Sequence, residues 1–331
     1  MTKIAELLAA GRTFSFEFFP PKTEREQATL VETLRDLQPL APSFVSVTYR
    51  GGRESRQRTY DLVTGMLHTT SLNPMAHLIC VAHSRLELAD ILVSYRKAGV
   101  ENLMALGGDP PADPSAGSGE LVHAIELVEL ARAVGGFSIG VAAHPAGHPK
   151  SPDLVSDRDH LAEKLRRADF GVTQFFFELS EYRSLREDLA ARGVDAPVLP
   201  GILPVTTMAS VARTPSMGVP APRWLVERLE AADRAGGAPA VRQEGVEIFT
   251  ELCRELLDDD APGLHFYTFN RSSVTREIYA ALGLAAGPGS GPGQGHGPGP
   301  GPAGAGSRPT APGERPAALA GRPTGGTGPS G

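Results

Sequence analysis

Polar side chains that could perform acid–base chemistry interrupt several short apolar runs of the 331-residue chain. Glu17 stands among Phe16, Phe18 and Phe19, in a run that two prolines close. A carboxyl group in such surroundings is poorly hydrated, which raises its pKa and suits it to donate a proton near neutral pH. An outward-facing glutamate, beneath a helix or paired with an arginine, is the alternative. The aromatic neighbours and the position at a strand end favour the inward orientation.

Asp109 and Gln174 stand at similar places in two other apolar runs. Asp109 precedes two prolines and follows Gly107 and Gly108, which would let a ligand approach the backbone closely. An aspartate in this context can equally be a turn residue. Gln174 is an amide in a nearly apolar run, so it needs hydrogen-bond partners. Its partner is either the edge of a flat heterocycle or a neighbouring backbone group.

Two further pairs of side chains have spacings that could serve a ligand. His144 and His148 each precede a proline on a predicted loop, and no cysteine nearby completes a zinc site, so we expect no metal there. Asp157 and Lys164 lie seven residues apart in a helical pattern and therefore share one helix face. They could reach the hydroxyl and phosphate groups of a ligand. A solvated helix face is the alternative for these two charges.

The elements that must position these side chains follow a regular alternation. Eight short runs rich in Val, Ile, Phe and Tyr alternate with longer segments whose apolar residues recur every three or four positions. This pattern predicts an α/β fold, a (β/α)8 TIM barrel of parallel strands inside a ring of helices. The predicted strands span residues 13–19, 43–49, 75–81, 102–108, 137–143, 170–177, 198–204 and 264–270. Catalytic groups of such barrels lie at the carboxyl ends of the strands. The seventh connection contains an extra helical pattern, and we expect helices near its start to shape the barrel mouth.

Composition limits the domain organisation and the classes of partner. We predict a barrel catalytic domain over residues 1–285 and a disordered tail over residues 286–331, because Gly, Pro, Ala, Ser and Thr dominate the tail. A net charge of -6 argues against a nucleic-acid partner. Cys80 and Cys253 lie in apolar runs and are expected to be packed free thiols. The first apolar segment is too short for a signal peptide or a membrane span, so we expect a cytoplasmic protein without a membrane partner.

A resemblance to a known family rests on eight sequence blocks. They occur in the same order and at similar spacing as the signature blocks of bacterial 5,10-methylenetetrahydrofolate reductase, over roughly residues 12–284. The blocks are FSFEFFPPKT, FVSVTY, AHL, GGDPP, GVAAHP, TQFFFE, PGILPV and HFYTFNRS. The resemblance implies an oxidoreductase in which NAD(P)H reduces FAD and the flavin passes a hydride to 5,10-methylenetetrahydrofolate. The product, 5-methyltetrahydrofolate, supplies methyl groups for methionine synthesis.

The resemblance also implies roles for individual residues. Glu17 corresponds to the general acid that opens the five-membered ring of the folate. Asp109 corresponds to an aspartate near flavin and pterin that tunes hydride transfer and binds the folate. Gln174 and Tyr267 correspond to residues that contact the pterin and the substrate region. The positions that correspond to flavin contacts are Thr48, His77, His144, His148, Asp157 and Lys164.

The chain departs from the family pattern at three positions near the flavin. Gly107 replaces an arginine that contacts the cofactor, and His123 and His144 replace tyrosines. FAD remains the first expectation, and direct hydride transfer from a nicotinamide to the folate is the alternative. Two other hypotheses stay open. One is a folate-binding protein without redox activity, and the other is a barrel lyase or hydrolase that uses Glu17 and Asp109.

Overall fold

The eight predicted strands form one closed parallel sheet in the computed structural model, which describes residues 1–49, 53–109 and 119–284. Each strand pairs with the next, and the last pairs with the first. The strands are β1 (Thr13–Phe18), β2 (Phe44–Val47), β3 (Pro74–Ile79), β4 (Asn102–Leu106), β5 (Ser138–Ala143), β6 (Phe170–Phe175), β7 (Val198–Ile202) and β8 (Gly263–Tyr267). The predicted barrel is confirmed. The strands are shorter than predicted because the last residues of most runs belong to the loops at the carboxyl end.

Ten α-helices lie within the described residues. They are α1 (Ile4–Ala10), α2 (Glu24–Leu37), α3 (Arg53–Thr69), α4 (Arg85–Lys97), α5 (Ala124–Val134), α6 (Leu154–Leu165), α7 (Leu179–Ala191), α8 (Met208–Arg213), α9 (Arg223–Asp258) and α10 (Ser273–Ala281). Apolar residues at helical spacing bury one face of the outer helices against the strands. The start of α4 shows how local sequence sets a boundary, since Ser84 and Glu87 form a reciprocal capping box. No described helix is both long and apolar enough to cross a membrane.

Helix α1 was not among the predicted elements. It closes the amino end of the barrel, where Ile4 packs among the residues that fill the lower interior. The backbone N–H of Ile4 donates to Asn102 Oδ1 at 2.9 Å, and that of Ala5 donates to Ser138 Oγ at 3.0 Å. These buried side-chain acceptors satisfy amide groups that a helix start leaves without partners. The predicted site residues lie at the opposite end.

The barrel interior changes from apolar to polar along its axis. The lower part is filled by Ile4, Phe44, Met75, Met104, Phe170, Val172 and Leu199. Polar side chains on β1, β2, β3 and β8 follow toward the carboxyl end, and Ser15, Glu17, Ser46, His77 and His265 are all buried. Burying so many polar groups costs free energy unless they are paired. Their presence marks the upper interior as a functional region.

The connection between β7 and β8 is the long one, as predicted. It contains α8, a 3-10 turn over residues 214–217 and α9, which breaks at Gly237 with a positive φ of 64°. Met217, Gly218 and Val219 near its start line a cavity at the barrel mouth. The expectation that this segment shapes the mouth is therefore confirmed. The predicted tail, residues 286–331, lies outside the described residues.

Candidate active site

Glu17 lies at the centre of a buried polar cluster inside the barrel. Its side chain accepts a hydrogen bond from Ser46 Oγ at 3.4 Å. The same oxygen, Oε2, lies 3.5 Å from His77 Nε2 and 3.7 Å from His265 Nε2. Strand register explains the cluster, since Glu17 is opposite Ser46 on β2 and Tyr267 on β8. Glu17 is 7% exposed, so the predicted inward orientation is confirmed.

The expectation of a raised pKa for Glu17 is wrong. Burial is the largest single influence and raises the pKa, but the His265 hydrogen bond, the charges of His77 and His265 and the Ser46 hydroxyl together lower it. Burial lowers the pKa of His77, although the Glu17 carboxylate raises it. The charges of Glu17 and His77 thus oppose the effect of burial on each other's pKa.

Ser15 and His265 were not among the predicted site residues. Ser15 Oγ lies 2.8 Å from His265 Nδ1 and 3.4 Å from the Leu264 carbonyl oxygen, to which the hydroxyl can donate. His265 therefore faces Ser15 with Nδ1 and the Glu17 carboxyl group with Nε2, which lies 3.7 Å from Oε2. A sequence signal existed, because Ser15 and Glu17 are two residues apart on a strand and so face the same side.

Tyr267 spans the barrel from β8 to β6. Its hydroxyl donates to the Thr173 carbonyl oxygen at 2.6 Å, beside Gln174 in the chain. Gly201 makes room for it, since a Cβ there would lie 2.6 Å from Tyr267 Cε2. Burial and the charge of Glu17 raise the pKa of Tyr267 well above its ordinary value. The phenol therefore stays neutral and keeps its role as a donor.

Asp109 and Gln174 line one cavity of about 290 Å³ at the barrel mouth. The Asp109 side chain is 96% exposed and accepts a hydrogen bond from Lys150 Nζ at 3.2 Å. Gln174 Oε1 accepts a hydrogen bond from the backbone N–H of Phe175 at 3.0 Å. Of the two partners expected for this amide, a heterocycle edge or a backbone group, its oxygen therefore has the backbone group. Glu17 is not among the residues that line this cavity and lies in the barrel interior. The structure therefore brings two of the four predicted folate-facing residues, Asp109 and Gln174, into one cavity.

Comparison with known proteins places the chain in a family. The model of the family "Methylenetetrahydrofolate reductase" matches residues 2–283. The chain belongs to this family. The 5,10-methylenetetrahydrofolate reductase of Pectobacterium carotovorum subsp. carotovorum is 34% identical over 273 residues, which cover 82% of this chain and 90% of the relative. That of Escherichia coli (strain K12) is 34% identical over 275 residues, which cover 82% and 91%. The predicted resemblance is confirmed.

A solved structure shares the fold of this reductase-family chain at low sequence identity. It is an uncharacterized protein from Clostridium thermocellum that binds two copies of 5-methyl-5,6,7,8-tetrahydrofolic acid. The TM-score is 0.60 at 13% identity, and the match covers 85% of this chain and 98% of the other. At this identity the likeness supports the barrel fold alone.

Methylenetetrahydrofolate reductases are generally flavin-dependent, and two of the predicted flavin positions fit a flat ring. Thr48 Oγ1 is buried and has no hydrogen-bond partner among the described residues, and the buried His77 Nε2 makes no hydrogen bond among them although it lies 3.5 Å from Glu17 Oε2. An orphaned buried polar atom is costly, and the polar edge of a ring would satisfy it. Both a flavin and a pterin have such edges. These two atoms alone therefore do not distinguish between the rings.

Asp157, by contrast, is committed to contacts within the protein. Its Oδ1 accepts from the backbone N–H of His148 at 3.1 Å and from Ser151 Oγ at 3.0 Å. Its Oδ2 accepts from Arg158 Nη1 at 3.2 Å. Arg158 is 1% exposed and also donates to Asp188 Oδ2 at 3.1 Å. Both oxygens of the carboxylate predicted to hold cofactor hydroxyls are thus occupied.

Lys164 also points into the protein. Its Nζ donates to the Ala142 carbonyl oxygen at 3.0 Å, and burial lowers its pKa although Asp157 raises it. Gly107 supplies no side chain where the family has an arginine, and Arg158 is paired with two carboxylates. These positions therefore lack charged side chains that are available to the diphosphate of FAD. The residues fit a ring but do not fit the whole flavin nucleotide, so the expectation of FAD is not confirmed.

The rings of His144 and His148 lie edge to face, with centroids 4.7 Å apart. No group of three or more metal-ligating side chains is present in the part of the chain that the structure describes. Burial and the charges of His148 and Lys164 lower the pKa of His144 to about 4, against the opposing effect of Asp157. His144 is therefore neutral in the folded protein near neutral pH.

Replacing His144 with tyrosine is expected to reduce the fall in the free energy of unfolding that acidification causes. An unfolded chain protonates this histidine below about pH 6.5, whereas the folded protein does so only near pH 4. The wild type should therefore lose stability as pH falls from 6.5 to 4, by roughly 2 kcal/mol from this group because it is partly exposed. Urea unfolding across this range would measure the difference. His68→Tyr, in an exposed position of α3, is the control, and equal pH slopes in His144→Tyr and wild type would contradict the assignment.

Proposed function

We propose that this chain is a methylenetetrahydrofolate reductase that transfers a hydride directly from NAD(P)H to 5,10-methylenetetrahydrofolate. The observation that carries the proposal is the buried cluster of Glu17, His77 and His265 at the carboxyl end of the barrel. Family membership supports the activity and the folate substrate. The product is 5-methyltetrahydrofolate, a methyl donor suited to methionine synthesis.

The first step is a proton transfer that opens the five-membered ring of the folate. The Glu17 cluster donates a proton to N10, and the electron pair of the bond between N10 and the bridging carbon moves to N10. The bridging carbon is left as an iminium cation on N5. A buried carboxyl–imidazole cluster suits this role because it holds a proton out of contact with bulk water. Ser15 would orient His265 from its other ring nitrogen.

The second step is the hydride transfer. The dihydronicotinamide gives a hydride to the iminium carbon, which becomes the methyl group, and the nicotinamide leaves oxidised. One NAD(P)H and one proton are consumed for each folate, so atoms and electrons balance. Asp109 would bind the pterin and favour the cationic intermediate through its negative charge, and Gln174 would bond the pterin edge with its amide N–H groups. No step requires a flavin, in line with the contacts of Asp157, Arg158 and Lys164.

The purified protein should oxidise NADH or NADPH only when methylenetetrahydrofolate is present. It should do so without added FAD and without a yellow absorption band. Oxidation that depends on added FAD would refute direct transfer while leaving the reductase activity intact. Folate binding without any nicotinamide oxidation, with or without FAD, would refute the reductase and favour the binding protein. Turnover without a nicotinamide would favour a lyase or hydrolase.

A further inference from the structure

A second cavity, of about 570 Å³, opens at the carboxyl ends of β1, β2 and β8. It is larger than the cavity of Asp109 and Gln174, which has about 290 Å³. Thr48 is the only lining residue that the sequence analysis assigned to ligand binding. The proposed function needs room for two substrates, and the pterin-binding residues line only the smaller cavity.

The charge of this larger cavity is opposite to that of the chain. Lys22, Arg58 and Arg271 line it from three separate segments, and Glu26 is the single carboxylate among the described residues that line it. Basic side chains thus outnumber carboxylates among these described residues, in a protein whose net charge is -6. The Glu26 carboxylate is engaged by the backbone, since its Oε2 accepts a hydrogen bond from the backbone N–H of Lys22 at 2.6 Å. A cleft with charge of one sign concentrates ligands of the other sign.

Two aromatic side chains, Phe19 and Phe269, border the cavity, and Phe269 lies in a loop with a strained backbone. Phe19 and Phe269 stack with centroids 5.4 Å apart, and Phe269 is 44% exposed. Phe269 and Asn270 have positive φ angles of 49° and 55°, which non-glycine residues seldom adopt. The Asn270 side chain accepts from the Phe19 N–H at 2.8 Å and donates to the Phe19 carbonyl at 2.9 Å. These bonds hold the loop after β8 to the end of β1 and keep an aromatic face accessible.

A buried polar atom also points to a ligand. Thr48 lines the cavity, is 8% exposed, and its Oγ1 has no hydrogen-bond partner among the described residues. Leaving such an atom unsatisfied costs free energy, which a polar group of a bound molecule would recover. The cavity thus combines excess positive charge, an aromatic face and an unsatisfied hydroxyl.

We propose that this cavity binds the nicotinamide dinucleotide, with its diphosphate near Lys22, Arg58 and Arg271, while the folate occupies the cavity of Asp109 and Gln174. The described lining presents three basic side chains to the two negative charges of a diphosphate. This inference rests on the proposed function. Separate places for donor and acceptor mean that both are bound at once. Initial-rate plots at several fixed folate concentrations should therefore intersect.

Binding of NADH to the full-length protein, measured by calorimetry without folate, tests the assignment independently of turnover. Lys22→Ala and Arg271→Ala should each raise the Kd for NADH by about tenfold, because each removes a charge-assisted contact to phosphate. The Kd for 5-methyltetrahydrofolate should stay within about twofold of wild type, less than the loss of one hydrogen bond. Lys97→Ala, an exposed lysine in the last turn of α4, is the matched control and should change neither constant.

Two results would overturn the assignment. One is an unchanged Kd for NADH in both variants. The other is weaker binding of 5-methyltetrahydrofolate in place of NADH, which would assign the positive charges to the glutamate carboxylates of the folate. Parallel initial-rate plots would refute simultaneous binding. If the wild type binds NADH but never reduces the folate, the proposed function fails, while the Kd values of the variants still decide what the cavity binds.

Discussion

Glu17→Gln is expected to lower kcat by about 10²- to 10⁴-fold, the usual contribution of a general acid. The amide keeps the shape of the side chain and can still accept from Ser46, but it cannot deliver a proton to N10. Folate binding should persist, because the amide keeps the shape of the side chain and the proposed pterin-binding residues Asp109 and Gln174 are unchanged. Steady-state rates and calorimetry with 5-methyltetrahydrofolate measure the two effects. Glu32→Gln, an exposed position on α2, is the control.

The pH profile of the same variant makes the test sharper. The pKa of Glu17 is lowered, so a lone carboxyl group would be ionised near neutral pH and unable to act as an acid. If a proton held by the cluster of Glu17, His77 and His265 is the one delivered, wild-type kcat should fall as rising pH removes it. The residual rate of Glu17→Gln should lack this fall. Full activity in Glu17→Gln would refute the assigned role, and an identical pH profile at a reduced rate would assign the proton to another group.

Arg158→Met is expected to reduce the free energy of unfolding by about 3–5 kcal/mol, the usual cost of leaving a buried charge without its partner. Arg158 is fully enclosed and pairs with Asp157 and Asp188. It also donates to the carbonyl oxygens of His144 and Pro145, at 2.9 and 2.6 Å. Its loss would leave a buried carboxylate and two carbonyls unsatisfied. Urea denaturation would measure the change.

A second variant separates the lost charge pairing from the lost volume. Arg158→Met combined with Asp157→Leu removes both charges, and it should be more stable than Arg158→Met alone. Arg254→Met, an exposed position on α9, should change stability by less than about 0.5 kcal/mol. A loss below about 1 kcal/mol in Arg158→Met would show that this arginine is not the main partner of the buried carboxylate.

Most of the barrel could be predicted because its signals are local. Apolar runs of strand length and apolar residues at helical spacing are properties of short segments, and all eight strands lie where the periodicity predicts them. Helix α1 was missed because a seven-residue helix has little stability of its own. Its position depends on Asn102 and Ser138, which lie about a hundred residues further along the chain.

The site shows the same division between local and long-range information. The sequence alone favoured an inward Glu17, from its aromatic neighbours and its place at a strand end, and the helix period placed Asp157 and Lys164 on one helix face. Only the tertiary structure decided the charge relations of these groups, because the pKa of Glu17 depends on His77 and His265, which lie on other strands. The ion pair with the buried Arg158 likewise commits the Asp157 carboxylate to a contact within the protein. Electrostatic energies depend on distance in space, and closure of the barrel is what sets those distances.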